Sequence, residues 1–126
     1  MKRIVVVLLA GMLLVPSLCR ALEVAESALA RKVEQRQPVD VMTEVPADIG
    51  RLYCFTRLVG AETETRVVHV WSWEGREMAR VELPVRSNNW RTWSSKRILP
   101  EWSGEWTISI LDAQGNLLEK LSFQVR

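Results

Sequence analysis

The sequence predicts an all-β fold, an antiparallel β-sandwich of immunoglobulin-like architecture with about seven strands behind an N-terminal signal peptide. Three observations carry this. From Gly50 onward, short Val-, Ile- and Trp-rich runs recur every 8–15 residues between turn clusters. Several of these runs alternate apolar and polar residues with a period of two, the signature of a half-buried strand. The chain is 48% hydrophobic and 25% charged over 126 residues, which suits one small globular domain rather than a disordered segment.

Met1 to Ala21 reads as a secretory signal. Lys2 and Arg3 precede an apolar run from Ile4 to Val15 that Pro16 breaks, and Cys19-Arg20-Ala21 puts small residues at the two positions a signal peptidase reads. The run spans roughly 18 Å as a helix, well short of a ~30 Å hydrocarbon core. A lipoprotein cut would need a small residue before Cys19, where Leu18 stands, and an uncleaved anchor would have to stop at Leu18. The expectation is therefore an exported, periplasmic domain over residues 22–126, with no membrane insertion after cleavage.

Cleavage changes the charge. The full chain carries +2, but losing Lys2, Arg3 and Arg20 leaves 14 basic against 15 acidic residues, a net of −1. The remaining cations are interspersed with acids, so nothing argues for nucleic acid. Cys54 becomes the only thiol, either buried and inert or available for a bridge between chains, and its place between Tyr53 and Phe55 in a strand pattern favours burial. One His and one Cys make no metal nucleus, and neither a metal nor a cofactor is expected.

Taken in order, Leu22 to Arg36 is ambiguous: its Ala, Glu, Arg and Gln content favours helix, with Leu22, Ala25, Leu29 and Val33 on one stripe. Pro38 to Gly50 reads as a loop. Strands are expected over Arg51–Leu58 and Thr65–Trp73, with Glu74-Gly75 as a hairpin turn. Glu77–Val85 follows as an edge strand because of Pro84. Trp90–Lys96, Glu105–Asp112 and Leu117–Val125 complete the set, the last two joined by Gln114-Gly115-Asn116.

Seven short motifs run in order through the chain: Arg36-Gln37-Pro38-Val39-Asp40, Phe55-Thr56, His69-Val70-Trp71, Trp90-Arg91-Thr92-Trp93-Ser94-Ser95-Lys96, Leu99-Pro100, Gly104-Glu105-Trp106-Thr107, and Asp112 with Gly115, before Phe123. Together they resemble the bacterial domain of unknown function 2914 family (DUF2914). The resemblance implies an exported or membrane-tethered domain and brings no assigned activity. Family members tend to show Phe-Thr-Thr where this chain has Leu29-Ala30-Arg31. The ungapped spacing to Pro38-Val39-Asp40 nevertheless implies a first strand over Val24–Gln35, against its propensity.

For chemistry, Ser94 and Lys96 share a strand face and could form a nucleophile and base, but they stand ~7 Å apart along the strand and no glycine-rich oxyanion loop adjoins them. His69 with Ser94 and one of Asp40, Asp48 or Asp112 makes a triad only on paper. The six Trp are the most informative feature. They either fill the core or form an exposed platform for sugar rings or an extended peptide. Arg91 shares a face with Trp93, a candidate cation–π pair, and Trp102 in its loop is the expected exposed indole. The expected function is a non-catalytic binding or interaction module of the bacterial cell envelope for an envelope protein or glycan. Its binding candidates are His69, Trp71, Arg91, Trp93, Ser94, Lys96 and Trp102, with no catalytic residue assigned. The alternatives are a small envelope hydrolase using Ser94 with Lys96 or His69, and a structural accessory domain docking through the edge strand Glu77–Val85.

Overall fold

The computed structural model describes residues 21–126, so the expected signal segment, apart from Ala21, lies outside the described residues. Among these residues the chain forms β1 (Glu23–Glu34), β2 (Gln37–Met42), β3 (Glu44–Val45), β4 (Gly50–Val59), β5 (Thr65–Trp73), β6 (Arg76–Val85), β7 (Asn89–Ile98), β8 (Gly104–Leu111) and β9 (Leu117–Val125). A 3-10 turn over Pro100–Trp102 leads into β8. The strands build two sheets packed as a sandwich, β2-β1-β4-β7 and β3-β9-β8-β5-β6. All pairings are antiparallel except the short parallel pair β3–β9. The all-β sandwich is as the sequence predicts, and β6 is an edge as Pro84 required.

The count differs. Residues 38–50, expected as a loop, contain β2 and β3 and so raise about seven strands to nine. The β1–β2 hairpin turns on Gln35 and Arg36 at φ 50° and 59°. Both residues of such a two-residue turn need the left-handed region, for which Gly and Asn are the usual choice, so Gln-Arg gives no turn signal. The Glu74-Gly75 turn, with φ 49° and 78°, is the recognisable version of the same geometry. β1 is a strand, not the helix its composition favours, because β2 and β4 pair with it on both sides.

Inward residues from both sheets form the core. One cluster gathers Leu29, Leu52, Cys54, Trp71, Ile98, Trp106, Ile108 and Phe123. A second holds Leu58, Val67, Val85 and Ile110, with Leu22, Val24 and Trp90 packed against it. Leu52 and Leu58 are fully buried, and each contributes about 1.5–3 kcal/mol relative to an exposed side chain.

The β1–β2 hairpin does not continue the sheet straight. Val24 pairs with Leu58 and Leu58 with Trp90, which sets Trp90 about 10 Å across the sheet from Val24. A straight β1 would carry Arg36 roughly 40 Å along from Val24. Instead the Arg36 guanidinium carbon lies 5.2 Å from the centre of the Trp90 ring. The hairpin therefore folds back across the outer face of its own sheet, with Asp40 bent into the left-handed region at φ 57°. Ala30 and Phe55, which point to that outer face, are 0% and 1% exposed.

Candidate functional site

Strand alternation aims His69 and Trp71 of β5 into the interior, where they meet Thr56 of β4 and Ser94 of β7 from the opposite sheet. Trp71 Nε1 and Ser94 Oγ are 3.1 Å apart, Ser94 Oγ and His69 Nδ1 2.6 Å, His69 Nε2 and Thr56 Oγ1 3.3 Å, and Thr56 Oγ1 and the Thr92 carbonyl 3.0 Å. Donor chemistry assigns the protons. The Thr92 carbonyl only accepts, so the Thr56 hydroxyl donates to it. Nε2 of His69 must then carry the hydrogen that Thr56 Oγ1 accepts, leaving Nδ1 to accept from Ser94, whose oxygen accepts the Trp71 N–H. The result is one directional chain through a neutral imidazole. Burial pushes the His69 pKa down to about 4, which keeps the ring neutral.

Ser94 is thus within nucleophile–base distance of His69, yet the pair faces the wrong surroundings for acyl transfer. His69 is fully buried and Ser94 nearly so. The second ring nitrogen meets a threonine hydroxyl where a triad would place a carboxylate. Trp71 also occupies the serine oxygen that would have to attack. The arrangement ties the two sheets together with every polar atom satisfied.

Lys96 does not serve Ser94 either. Its Nζ lies 4.7 Å from the centre of the Trp102 ring and 6.0 Å from that of Trp106, and burial, aided by Arg51, lowers its pKa. The ammonium is held by this cation–π contact. Around it, Trp106 stacks between Trp73 and Phe123 at centroid distances of 6.5 and 6.3 Å. Trp73 donates its N–H to the Ser103 carbonyl at 3.0 Å, and Trp106 to the Trp102 carbonyl at 2.7 Å. Trp102, expected to be exposed, is half-buried because the 3-10 turn folds it against this stack.

The seven residues proposed for binding therefore divide. His69, Trp71 and Ser94 are interior, Lys96 and Trp102 close one end of the sandwich, and Arg91 and Trp93 stand on the outer face of β7. Six indoles do not make one platform: Trp71 and Trp106 are fully buried, and Trp90 and Trp93 point to opposite faces. The cation–π pairs that form among the described residues are Arg36–Trp90, Arg76–Trp73 and those of Lys96; the expected Arg91–Trp93 pair is not among them.

The outer face of β4 and β7 has a pattern of its own. Reading across the two strands, Arg51 stands opposite Arg97, Tyr53 opposite Ser95, Phe55 opposite Trp93, and Arg57 opposite Arg91. Two arginine pairs bracket an aromatic centre, although like charges directly opposed are unfavourable. At the Arg57 end, Nε lies 3.1 Å from Glu26 Oε1 and an Nη donates to Asn89 Oδ1 at 3.2 Å. The hairpin tip brings Arg36 to the same place, and a cleft of about 290 Å³ opens between Arg36, Asn89 and Arg91. Arg36 and Arg57 carry no local motif for this role. Only the folded-back hairpin and the sheet register reveal them.

The sequence model of the family described as "Protein of unknown function (DUF2914)" matches residues 64–125, from the threshold of β5 to the end of β9. Over this span the chain is similar to the DUF2914 family. No curated protein matches it. The DUF2914 span holds all seven binding candidates read from the sequence, whereas Arg36, Arg57 and the motifs at Arg36–Asp40 and Phe55-Thr56 precede it. The Trp90–Lys96 motif of the DUF2914 resemblance is β7 itself. Its even positions enter the core and its odd positions, Arg91, Trp93 and Ser95, face outward.

Proposed function

We propose that this domain is a non-catalytic binding module of the bacterial cell envelope, and that it binds through the outer face of β4 and β7 around Trp93 and Arg91. The observation that carries the reading is the cross-strand ladder on that face: a half-buried Trp93 beside a cluster of arginines that the fold holds together against their mutual repulsion. The internal Ser94–His69 pair supports the same reading, because the one nucleophile–base geometry formed among these residues is spent on joining the sheets. Envelope location rests on the N-terminal sequence, whose charged start, apolar run and small-residue cut predict export.

Two measurements test this. Mass spectrometry of the exported protein is expected to find Leu22 as the first residue. In co-sedimentation with insoluble envelope material from its own host, the protein is expected in the pellet, and Trp93→Ala is expected to shift it at least fivefold toward the supernatant. Equal pelleting of wild type and Trp93→Ala, with both variants folded by circular dichroism, would remove the outer face as the binding surface.

A further inference from the structure

Arg36, from a hairpin tip, and Arg91, from a strand far away in sequence, line one small cleft with Asn89, and Arg57 of the neighbouring strand bonds Asn89 and stands opposite Arg91. Their counter-charges are few. Arg57 pairs with Glu26, but among the described residues no carboxylate lies within ion-pair distance of Arg36 or Arg91. Arg91 is half-buried and directly faces Arg57 across the ladder, so two guanidinium groups share a partly desolvated space with one acid between them. In that setting an added anion gains from both cations at reduced dielectric. Guanidinium forks present paired N–H groups matched to carboxylate and phosphate oxygens. Asn89 adds an amide beside them, its oxygen already accepting from Arg57.

We infer that the ligand of the proposed binding module is an acidic polysaccharide whose anionic group sits in the cleft between Arg36 and Arg91, beside Arg57, while a neighbouring sugar ring lies on Trp93. This inference rests on the binding-module reading above. The saccharide, rather than a peptide, follows from where the groups stand. Arg57 projects from β4, whose backbone is paired on both sides, and Arg91 from β7, the edge strand of the sheet. A peptide adding to that edge would lie beside β7 in the plane of the sheet, whereas a ligand lying over Trp93 and the arginines meets side chains only. Trp93, two residues from Arg91 on the same face, supplies a flat apolar surface for a ring. The second arginine pair, Arg51 with Arg97, lies about 20 Å along the same strands and would meet a further acidic residue of an extended chain.

The experiment is calorimetry of the exported protein with four soluble polymers: polygalacturonate for carboxylate, phosphomannan for phosphate, dextran as a neutral glycan and polyglutamate as a polyanion without sugar. The expected result is binding to polygalacturonate or phosphomannan, the stronger of the two naming the oxyanion. Raising the salt should weaken it. Arg91→Gln and Arg36→Gln should each weaken it at least tenfold at unchanged melting temperature, and Arg91→Lys should retain part of it. Polyglutamate bound as tightly as the acidic glycans would overturn the saccharide assignment. Dextran binding that depends on Trp93 and ignores the arginines would overturn the charge assignment and leave the binding module standing, whereas only the co-sedimentation result can remove the module itself. Wild-type affinity in both Arg91→Gln and Arg36→Gln would likewise overturn the cleft.

Discussion

His69 and Ser94 belong to opposite sheets and meet at 2.6 Å in the dry middle of the sandwich, the shortest link in a chain that runs from the Trp71 indole to the Thr92 carbonyl. Because every donor in it points one way, removing a single member orphans its neighbours. Ser94→Ala leaves the Trp71 N–H and His69 Nδ1 unpaired, and each orphaned buried group costs ~1–3 kcal/mol. Urea denaturation of Ser94→Ala is expected to show a loss of roughly 2–5 kcal/mol, and the double variant Ser94→Ala with His69→Phe is expected to lose less than the sum of the singles. A loss below ~0.5 kcal/mol would mean the chain does not couple the sheets.

The same burial makes stability depend on pH. His69 titrates near 4 in the fold and near 6.5 when unfolded, so between those values the unfolded chain binds the extra proton. Stability is then fully present above about pH 6.5 and falls as the pH drops toward 4, by about 3 kcal/mol in all. Denaturation midpoints measured from pH 7.5 to 4 should fall through this window in the wild type, and the His69→Phe variant should lack that component of the slope.

Much of this fold was legible from local pattern. β8 announces itself by period-two alternation, with one face on the core and one in water, β4 and β5 by runs of strand-forming residues between turns, and β6 by its proline. β1 and β2 were not, for two reasons. The Ala28 and Ala30 positions of β1 lie beneath a folded-back hairpin, where small residues fit and no strand-forming side chain is needed. The turn of that hairpin uses Gln35 and Arg36 in left-handed conformations that composition does not advertise. The site failed in the same way. Parity alone aims His69 and Ser94 inward, but only the packing of two sheets brings residues 25 positions apart into contact. Arg36 could not be placed beside Arg91 without knowing that the hairpin bends.

Cys54 provides a test of how closed the interior is. It is fully buried on β4, and burial, with the nearby Glu119 charge, pushes its thiol up to about 12. A thiol so protonated and so enclosed is a poor nucleophile. Native protein is expected to resist an aromatic disulfide reagent for hours and to release one equivalent only in denaturant, and non-reducing gels should show no disulfide-linked dimer. Rapid labelling of the folded protein would show that β4 opens locally.

Among the described residues Glu119 is the one discord in this interior. It lies opposite Ile110 on the inward side of β9, next to the cluster of Leu58, Val67 and Ile110, and its Oε2 is buried without a hydrogen-bond partner. An unpaired oxygen in such a place costs free energy that an apolar side chain of similar size would recover. The residue is only half-buried, so part of that cost is relieved by solvent at its other oxygen. Glu119→Leu is therefore expected to stabilise by about 1 kcal/mol, which for a domain of ~100 residues raises the melting temperature by ~4–8 °C. Glu119→Gln, which keeps a polar atom in the same position, should recover less. A fall in melting temperature for Glu119→Leu would show that the carboxylate holds a partner that this packing does not, and would make β9 the next place to look for a ligand.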